Sequence, residues 1–199
     1  MHVKKALTKF FGSKTVVLLT IAMLVRFSIA PLTEQRYDMY IWRLNQVLIY
    51  EYRINPLNPP TTIDRNATIF FWSYPPLWLV CLLTIYPVYA LISQPAYPAN
   101  VNILWQNMYV TNNPSEAYRS FIPENLPLLD FLIKTPLIIS DLLIGLLLFK
   151  IIKKFGKEER AQRYLCMWIF NPYVLFISAV WGMFDSLPTL FTLLAVWLF

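Results

Sequence analysis

The chain is short of charge, of histidine and of cysteine, and each shortage removes a class of explanation. Charged residues make up 14% of its 199 residues, against about 25% in an average soluble domain. Hydrophobic residues reach 57% and aromatic residues 17%, with a mean hydropathy of +0.49. That is far from a soluble domain's balance. The only histidine is His2, and no His/Cys/Asp group has metal-ligand spacing, so neither a metal nor a bound cofactor is expected. Cys81 and Cys166 both fall in apolar runs and offer no disulfide framework. The net charge of +6 is no nucleic-acid footprint, because the bases concentrate beside the apolar runs. A signal-peptide cleavage pattern is also missing: Ser28-Ile-Ala30 precedes Pro31, so the first apolar run reads as a retained anchor.

What the chain does have is length of apolar sequence. A helix needs roughly 20 apolar residues to cross a hydrocarbon core, and three segments qualify. They are Thr15–Leu32, Phe131–Phe149, and Tyr164 to Val180, which continues after Asp185 through Leu187–Phe199. Thr68–Ile92 is equally apolar but carries Pro75, Pro76 and Pro87. The basic residues decide between maps. Lys150, Lys153, Lys154, Lys157, Arg160 and Arg163 lie in one short stretch, and Lys4, Lys5, Lys9 and Lys14 precede the first apolar run. Such clusters mark the cytoplasmic side. Ser93–Asp130, by contrast, holds no lysine, one arginine (Arg119) and three acids. If Thr68–Ile92 crossed, that segment would face the cytoplasm and the basic cluster would face out, inverting the rule twice.

The expected map therefore keeps Thr68–Ile92 on the outer side, lying in the interface or dipping in and returning. The N-terminus is cytoplasmic and span 15–32 runs outward. An extracytoplasmic region 33–130 follows, span 131–149 runs inward, and a cytoplasmic loop covers 150–163. Span 164–180 then runs outward and 187–199 begins a fourth. The predicted class is an all-α, multi-span membrane bundle, in the plasma membrane of a prokaryote or the endoplasmic reticulum of a eukaryote. Its long first loop should contain membrane-surface helices. Tyr37, Ile41, Leu44 and Leu48 recur at helical spacing, with Arg43, Gln46 and Arg53 opposite, which predicts an amphipathic helix lying on the bilayer. The sequon Asn66-Ala-Thr68 falls on the same outer side.

Several polar residues stand out against this background. Asp38, inside Arg36-Tyr-Asp38-Met-Tyr-Ile-Trp42, shares a helix edge with Trp42 and Asn45. It can accept a proton from a hydroxyl at the membrane surface, or simply cap the helix. Tyr74-Pro-Pro-Leu77 reads as a rigid entry into a helix. Lys134 and Asp141 lie seven positions apart on one face of a span, and Arg26 lies in another. Lys134 can snorkel; Asp141, near mid-span, needs a partner, and Arg26 is a candidate for it or for a phosphate contact, unless it snorkels outward. Asp185 ends a span after Asn171-Pro172 and Trp181-Gly-Met-Phe and can cap a turn.

Taken in order, these motifs resemble the N-terminal part of GT-C-type integral membrane glycosyltransferases. The carriers of the likeness are Asp38 on its helix, Tyr74-Pro-Pro-Leu77, Lys134-Thr-Pro136 with Asp141, Asn171-Pro172, and Trp181-Gly-Met-Phe-Asp185. The likeness is to archaeal and bacterial mannosyltransferase-like proteins related to the GPI-anchor mannosyltransferases. It extends to the dolichyl-phosphate-glucose-dependent glucosyltransferases of N-glycan assembly. The resemblance implies transfer of a sugar from a polyprenyl-phosphate carrier to an acceptor hydroxyl on the extracytoplasmic face, without a metal. It implies Asp38 as catalytic base, Asp185 as a second catalytic acid, and Arg36, Trp42, Tyr74, Lys134, Asp141 and Trp181 as substrate contacts. Met183 stands where the family motif commonly has glutamine. Family members also carry further spans, so a second polypeptide supplying C-terminal spans is an expected partner beside membrane lipid. A non-catalytic membrane subunit, a truncated pseudoenzyme and a small transporter are the alternatives.

Overall fold

The computed structural model describes residues 14–51, 53, 55, 57, 72, 74–95 and 126–198. Among these residues every regular element is a helix. In chain order they are α1 (Lys14–Ile29), extended by a 3-10 turn over Ala30–Leu32; α2 (Arg36–Tyr50); α3 (Pro76–Ser93); α4 (Pro127–Phe155); α5 (Glu158–Ile169); α6 (Pro172–Leu175), which widens into a π-helix over Phe176–Trp181; and α7 (Ser186–Leu198). Three of them, α1 with its extension, α3 and α4, are long and apolar enough to cross a membrane. Helix α5 with Pro172–Trp181 makes a fourth if that bent pair is one span. The composition and these helices together indicate a membrane protein. The sequon Asn66–Thr68 and the bases Lys4, Lys5 and Lys9 lie outside the described residues.

Internal contacts divide the chain into two units, Met1–Glu34 with Ile133–Phe199, and Gln35–Leu132. In the first, Ala161, Leu165 and Ile169 recur every fourth residue along α5 and form a buried stripe against Ala22 and Phe149. Helix α4 lies close to α5 at Gly145, where an added Cβ would lie 2.7 Å from Ile169 Cγ2 and 3.1 Å from Leu165 Cδ1. A small residue lets the two helices come this near. Asp130 in the first turn of α4 and Lys153 and Lys154 in its last complement the helix dipole. The expected cytoplasmic loop 150–163 is therefore mostly helix: α4 runs on to Phe155 and α5 begins at Glu158.

The expected third span, 164–180, is broken. Pro172 has no N–H to continue α5, and Asn171 Oδ1 accepts from Tyr173 N at 2.9 Å, starting a new helix. The two pieces meet at 45°. Because Tyr173 N bonds Asn171, Ile169 O loses its helical donor, and Arg26 Nη1 donates to it at 2.7 Å. The C-terminal end of the π-helix turns at Gly182, whose φ of 89° suits glycine. Both Gly182 N and Met183 N donate to Ile177 O, each at 2.9 Å.

In the second unit, α2 forms where the apolar spacing predicts it, but its environment differs from the expected surface helix. Arg43, Asn45 and Gln46, on or beside the supposed water-facing side, are buried together with Ile41, Trp42, Leu44, Val47 and Leu48. Arg43 reaches Asp130 through two bonds, Nε to Oδ1 at 2.7 Å and Nη2 to Oδ2 at 2.5 Å. Helical spacing located the apolar stripe correctly; it could not anticipate that a carboxylate 87 residues away neutralises the polar one. Helix α3 is uninterrupted despite Pro87. Proline cannot donate to the carbonyl four residues back, Leu83 O, and the Tyr50 hydroxyl donates there instead. The Tyr50 ring stacks on Tyr86 at 5.0 Å, and the Tyr86 hydroxyl donates to Glu51 Oε1 at 2.8 Å.

Candidate functional site

The start of α2 is where the second unit gathers its chemistry. Gln35, still in extended backbone, caps the helix: its Oε1 accepts from Asp38 N at 2.7 Å. Asp38 is thus not the cap. It occupies the first turn, where the helix dipole favours negative charge, and its carboxylate is left to bind elsewhere. Tyr74 Oη donates to Asp38 Oδ1 at 2.6 Å, the short length of a charge-assisted bond. Pro75 and Pro76 explain how Tyr74 is held there. Pro75 is fixed in an extended conformation and Pro76 opens α3, so the tyrosine precedes a rigid two-proline step.

Aromatic rings enclose this pair. Trp42, one turn after Asp38 and fully buried, meets Tyr74 edge-on at 5.7 Å and Trp78 at 5.1 Å. Trp72 packs on Tyr74 at 5.4 Å. Burial raises the Tyr74 phenol above its ordinary value, and the bond to Asp38 and the charges of Asp38 and Tyr37 push it further the same way. The phenol therefore stays protonated and donates to the carboxylate. The indole Nε1 of Trp42 is buried without a hydrogen-bond partner among the described residues. Arg36 opens α2, but its side chain lies outside the described residues. The unit thus brings together Asp38, Trp42 and Tyr74 of the expected set.

In the first unit, Lys134 takes a role other than the expected substrate contact. Its Nζ is buried and donates to Ala30 O and Val180 O, each at 3.0 Å, and to Thr33 O. Thr33 Oγ1, at 3.4 Å from the same nitrogen, itself donates to Ile29 O at 3.0 Å and to Ala179 O at 3.2 Å. These carbonyls close the turn after α1 and the end of the π-helix, where donors run out. Lys134 is a clasp on two helix ends, as Arg26 is on α5. Trp181, which ends the π-helix, is half-buried and meets Phe176 edge-on at 5.9 Å.

Asp141 and Asp185 line one recess of about 240 Å³ with Trp168, Tyr173, Ser186 and Thr189. Asp141 is 3% exposed, whereas Asp185 is exposed, and its backbone oxygen accepts from Thr189 N at 3.2 Å and Thr189 Oγ1 at 2.7 Å. Trp168, Tyr173, Ser186 and Thr189 were not singled out in the sequence. The one local signal near them was the Asn171-Pro172 pair, which falls between Trp168 and Tyr173. No group of three or more metal-ligating side chains occurs among the described residues. No family model matches the chain, and neither a curated protein nor a solved structure does.

Proposed function

We propose that the chain transfers a hexose, mannose or glucose, from a polyprenyl-phosphate carrier to an acceptor hydroxyl at the extracytoplasmic membrane face. The observation that supports this reading is the 2.6 Å bond from Tyr74 to Asp38. It puts the tyrosine of Tyr-Pro-Pro-Leu on the carboxylate that the GT-C likeness makes the base. In the reaction, the acceptor oxygen attacks the anomeric carbon as Asp38 takes its proton. The bond from that carbon to the phosphate oxygen breaks, and the lipid phosphate leaves with the electron pair. A single displacement of this kind inverts the anomeric centre.

The departing phosphate needs a donor or a cation. Lys134 and Arg26 are both engaged with carbonyls, which leaves Arg36 as the basic residue nearest Asp38 in sequence. Membrane sidedness follows the bases: the N-terminus and residues 150–163 face the cytoplasm, and α3 stays on the outer side. At 18 residues, α3 is about 27 Å long, near the lower limit for crossing the core, whereas the 29 residues of α4 reach about 43 Å.

The test is sugar transfer by the reconstituted chain from polyprenyl-phosphate mannose and polyprenyl-phosphate glucose. Asp38→Asn should lower the rate at least a hundredfold, a loss of the general base's usual order, with membrane insertion unchanged. Tyr74→Phe should lower it about tenfold, from one lost bond to a charged group. Full activity in Asp38→Asn would rule out this base. A second reading, a non-catalytic membrane subunit, is favoured by the engagement of buried Lys134 and Arg26 with backbone. It predicts no transfer by the intact chain with either donor.

A further inference from the structure

The basic ends of α1 and α5 enclose a groove of about 480 Å³, distinct from the recess of Asp141. Further along, the two helices are tied together: Arg26 donates to Ile169 O, and Ala22 packs with Leu165 and Ile169. In the groove, Lys14 of α1 faces the same space as Arg163, Glu159 and Gln162 of α5. Val17, Leu18 and Cys166, about one turn further along each helix, complete the lining. Charge at one end and apolar surface at the other is the order in which a phospholipid presents its own groups.

Depth and charge decide what fits. Lys14 precedes the first apolar run, and Arg163 is the last base before the next begins at Tyr164; for helices that span, that is headgroup depth. Neither base makes an ion pair or a side-chain hydrogen bond among the described residues. Residues 1–13 bring Lys4, Lys5 and Lys9 and no acid, so the preceding segment of the chain cannot neutralise the pair. A second copy packed about a two-fold axis would set like charges together. Basic pockets between spans, by contrast, take acidic lipid headgroups. Glu159 narrows the choice: one carboxylate beside two bases opposes a polyanionic headgroup and accepts from headgroup hydroxyls. Val17 is 47% exposed, and Met167, next to Cys166, is 65% exposed, so the apolar end of the groove opens onto surface that acyl chains cover.

We propose that the groove between α1 and α5 holds one phospholipid with a singly anionic, hydroxyl-bearing headgroup. Its phosphate lies between Lys14 and Arg163, and its chain runs along Val17, Leu18 and Cys166. The apolar half of the lining is what selects a lipid over a free phosphate ion. On the sidedness proposed above, this lipid belongs to the cytoplasmic leaflet. It takes no part in the glycosyl transfer proposed at Asp38, and the site stands whether or not Asp38 is a base.

The intact chain in detergent is titrated with phosphatidylglycerol or phosphatidylcholine of equal chain length, and bound lipids are counted by native mass spectrometry. One phosphatidylglycerol should bind about tenfold more tightly than phosphatidylcholine, the order expected for two bases offset by one acid. Lys14→Gln with Arg163→Gln should erase that preference. Lys150→Gln with Lys157→Gln, which removes the same charge outside the groove, should keep it. All four bases are exposed, so their exchange leaves the packing intact. Val17→Trp, which fills the groove without changing charge, should weaken the lipid about fivefold, the order of one or two lost methylene contacts. Equal binding of the two lipids, a preference that survives Lys14→Gln with Arg163→Gln, or an equal loss in the Lys150 and Lys157 pair would overturn the site. Release of the lipid by inorganic phosphate would mean an anion site without a chain, and a lipid-free dimer would mean a second copy in the groove; either overturns the assignment. Asp38→Asn should leave lipid binding unchanged, so a failed base and a failed lipid site give different results.

Discussion

Replacing Lys134 with methionine separates two roles that the sequence alone leaves entangled. If Lys134 is a clasp, Lys134→Met removes the donor from Ala30 O, Thr33 O and Val180 O at once. Methionine is close to lysine in length and flexibility, so packing is largely kept and the loss is polar. Interhelical hydrogen bonds within membranes have measured near 0.6 kcal/mol each, which sets a floor of about 2 kcal/mol for three. Leaving buried acceptors unpaired raises this toward 1–3 kcal/mol apiece, and mutual relaxation keeps the sum near ~5 kcal/mol. At about 2–4 °C per kcal/mol for a chain of this size, the melting midpoint should fall by roughly 4–20 °C. The assay is tryptophan-fluorescence melting in detergent, with donor KM measured on the material still folded. A clasp predicts a large fall in melting and little change in KM. A melting midpoint equal to wild type with a tenfold higher donor KM would refute the clasp and return Lys134 to the phosphate.

Two further outcomes follow from local geometry. Gly145→Ala puts a methyl 2.7 Å from Ile169 Cγ2, on a buried side chain with little room to move. Overpacking of about 1–3 kcal/mol should exceed the gain of about 1 kcal/mol from replacing helical glycine. The net effect is a melting midpoint a few degrees lower. Gly156→Ala, with its nearest contacts at 3.4 and 3.9 Å, should not fall, and a rise in Gly145→Ala would contradict the close approach of α4 to α5. For Tyr74, whose phenol is held above its ordinary value of 10.0, the unfolded chain loses that proton before the folded one. Its contribution to stability is therefore intact below about pH 10 and declines above it. Tyrosinate absorbance should show that Tyr74→Phe leaves the titration of the folded protein near pH 10 unchanged; loss of one phenol's amplitude there would count against the Asp38 bond.

The sequence was most legible where a pattern is local. Apolar length placed α1 and α4, and the period of Tyr37, Ile41, Leu44 and Leu48 placed α2. The Asn171-Pro172 pair was visible, yet treated as part of one span; its capping bond to Tyr173 N turns it into a 45° break. What could not be read was long-range pairing. Arg43 looked like a solvated residue because Asp130, which neutralises it, lies 87 residues away. Asp38 looked like a cap because Gln35, an uncommon capping residue, takes that position. Tyr74 was noticed for its motif, and nothing local could reveal that its hydroxyl lands on Asp38.

One physical demand connects the residues whose roles changed. In a membrane-embedded chain, each carbonyl that loses its helical donor must find another, because lipid supplies none. Pro87 releases Leu83 O, and Tyr50 serves it. The break at Pro172 releases Ile169 O, and Arg26 serves it. The ends of the 3-10 turn and the π-helix release Ala30, Thr33 and Val180 carbonyls, and Lys134 serves all three. A buried base in a span is thus explained here by the acceptors around it before any ligand is invoked. Asp141 and Arg26 mark where the same reasoning stops. An acid cannot serve a carbonyl, and Arg26 Nε and Nη2, like Asp141 Oδ2, have no hydrogen-bond partner among the described residues. The released carbonyls therefore account for Lys134 but for only one arm of Arg26, whose remaining charge lies near enough to Asp141 for the two to offset each other.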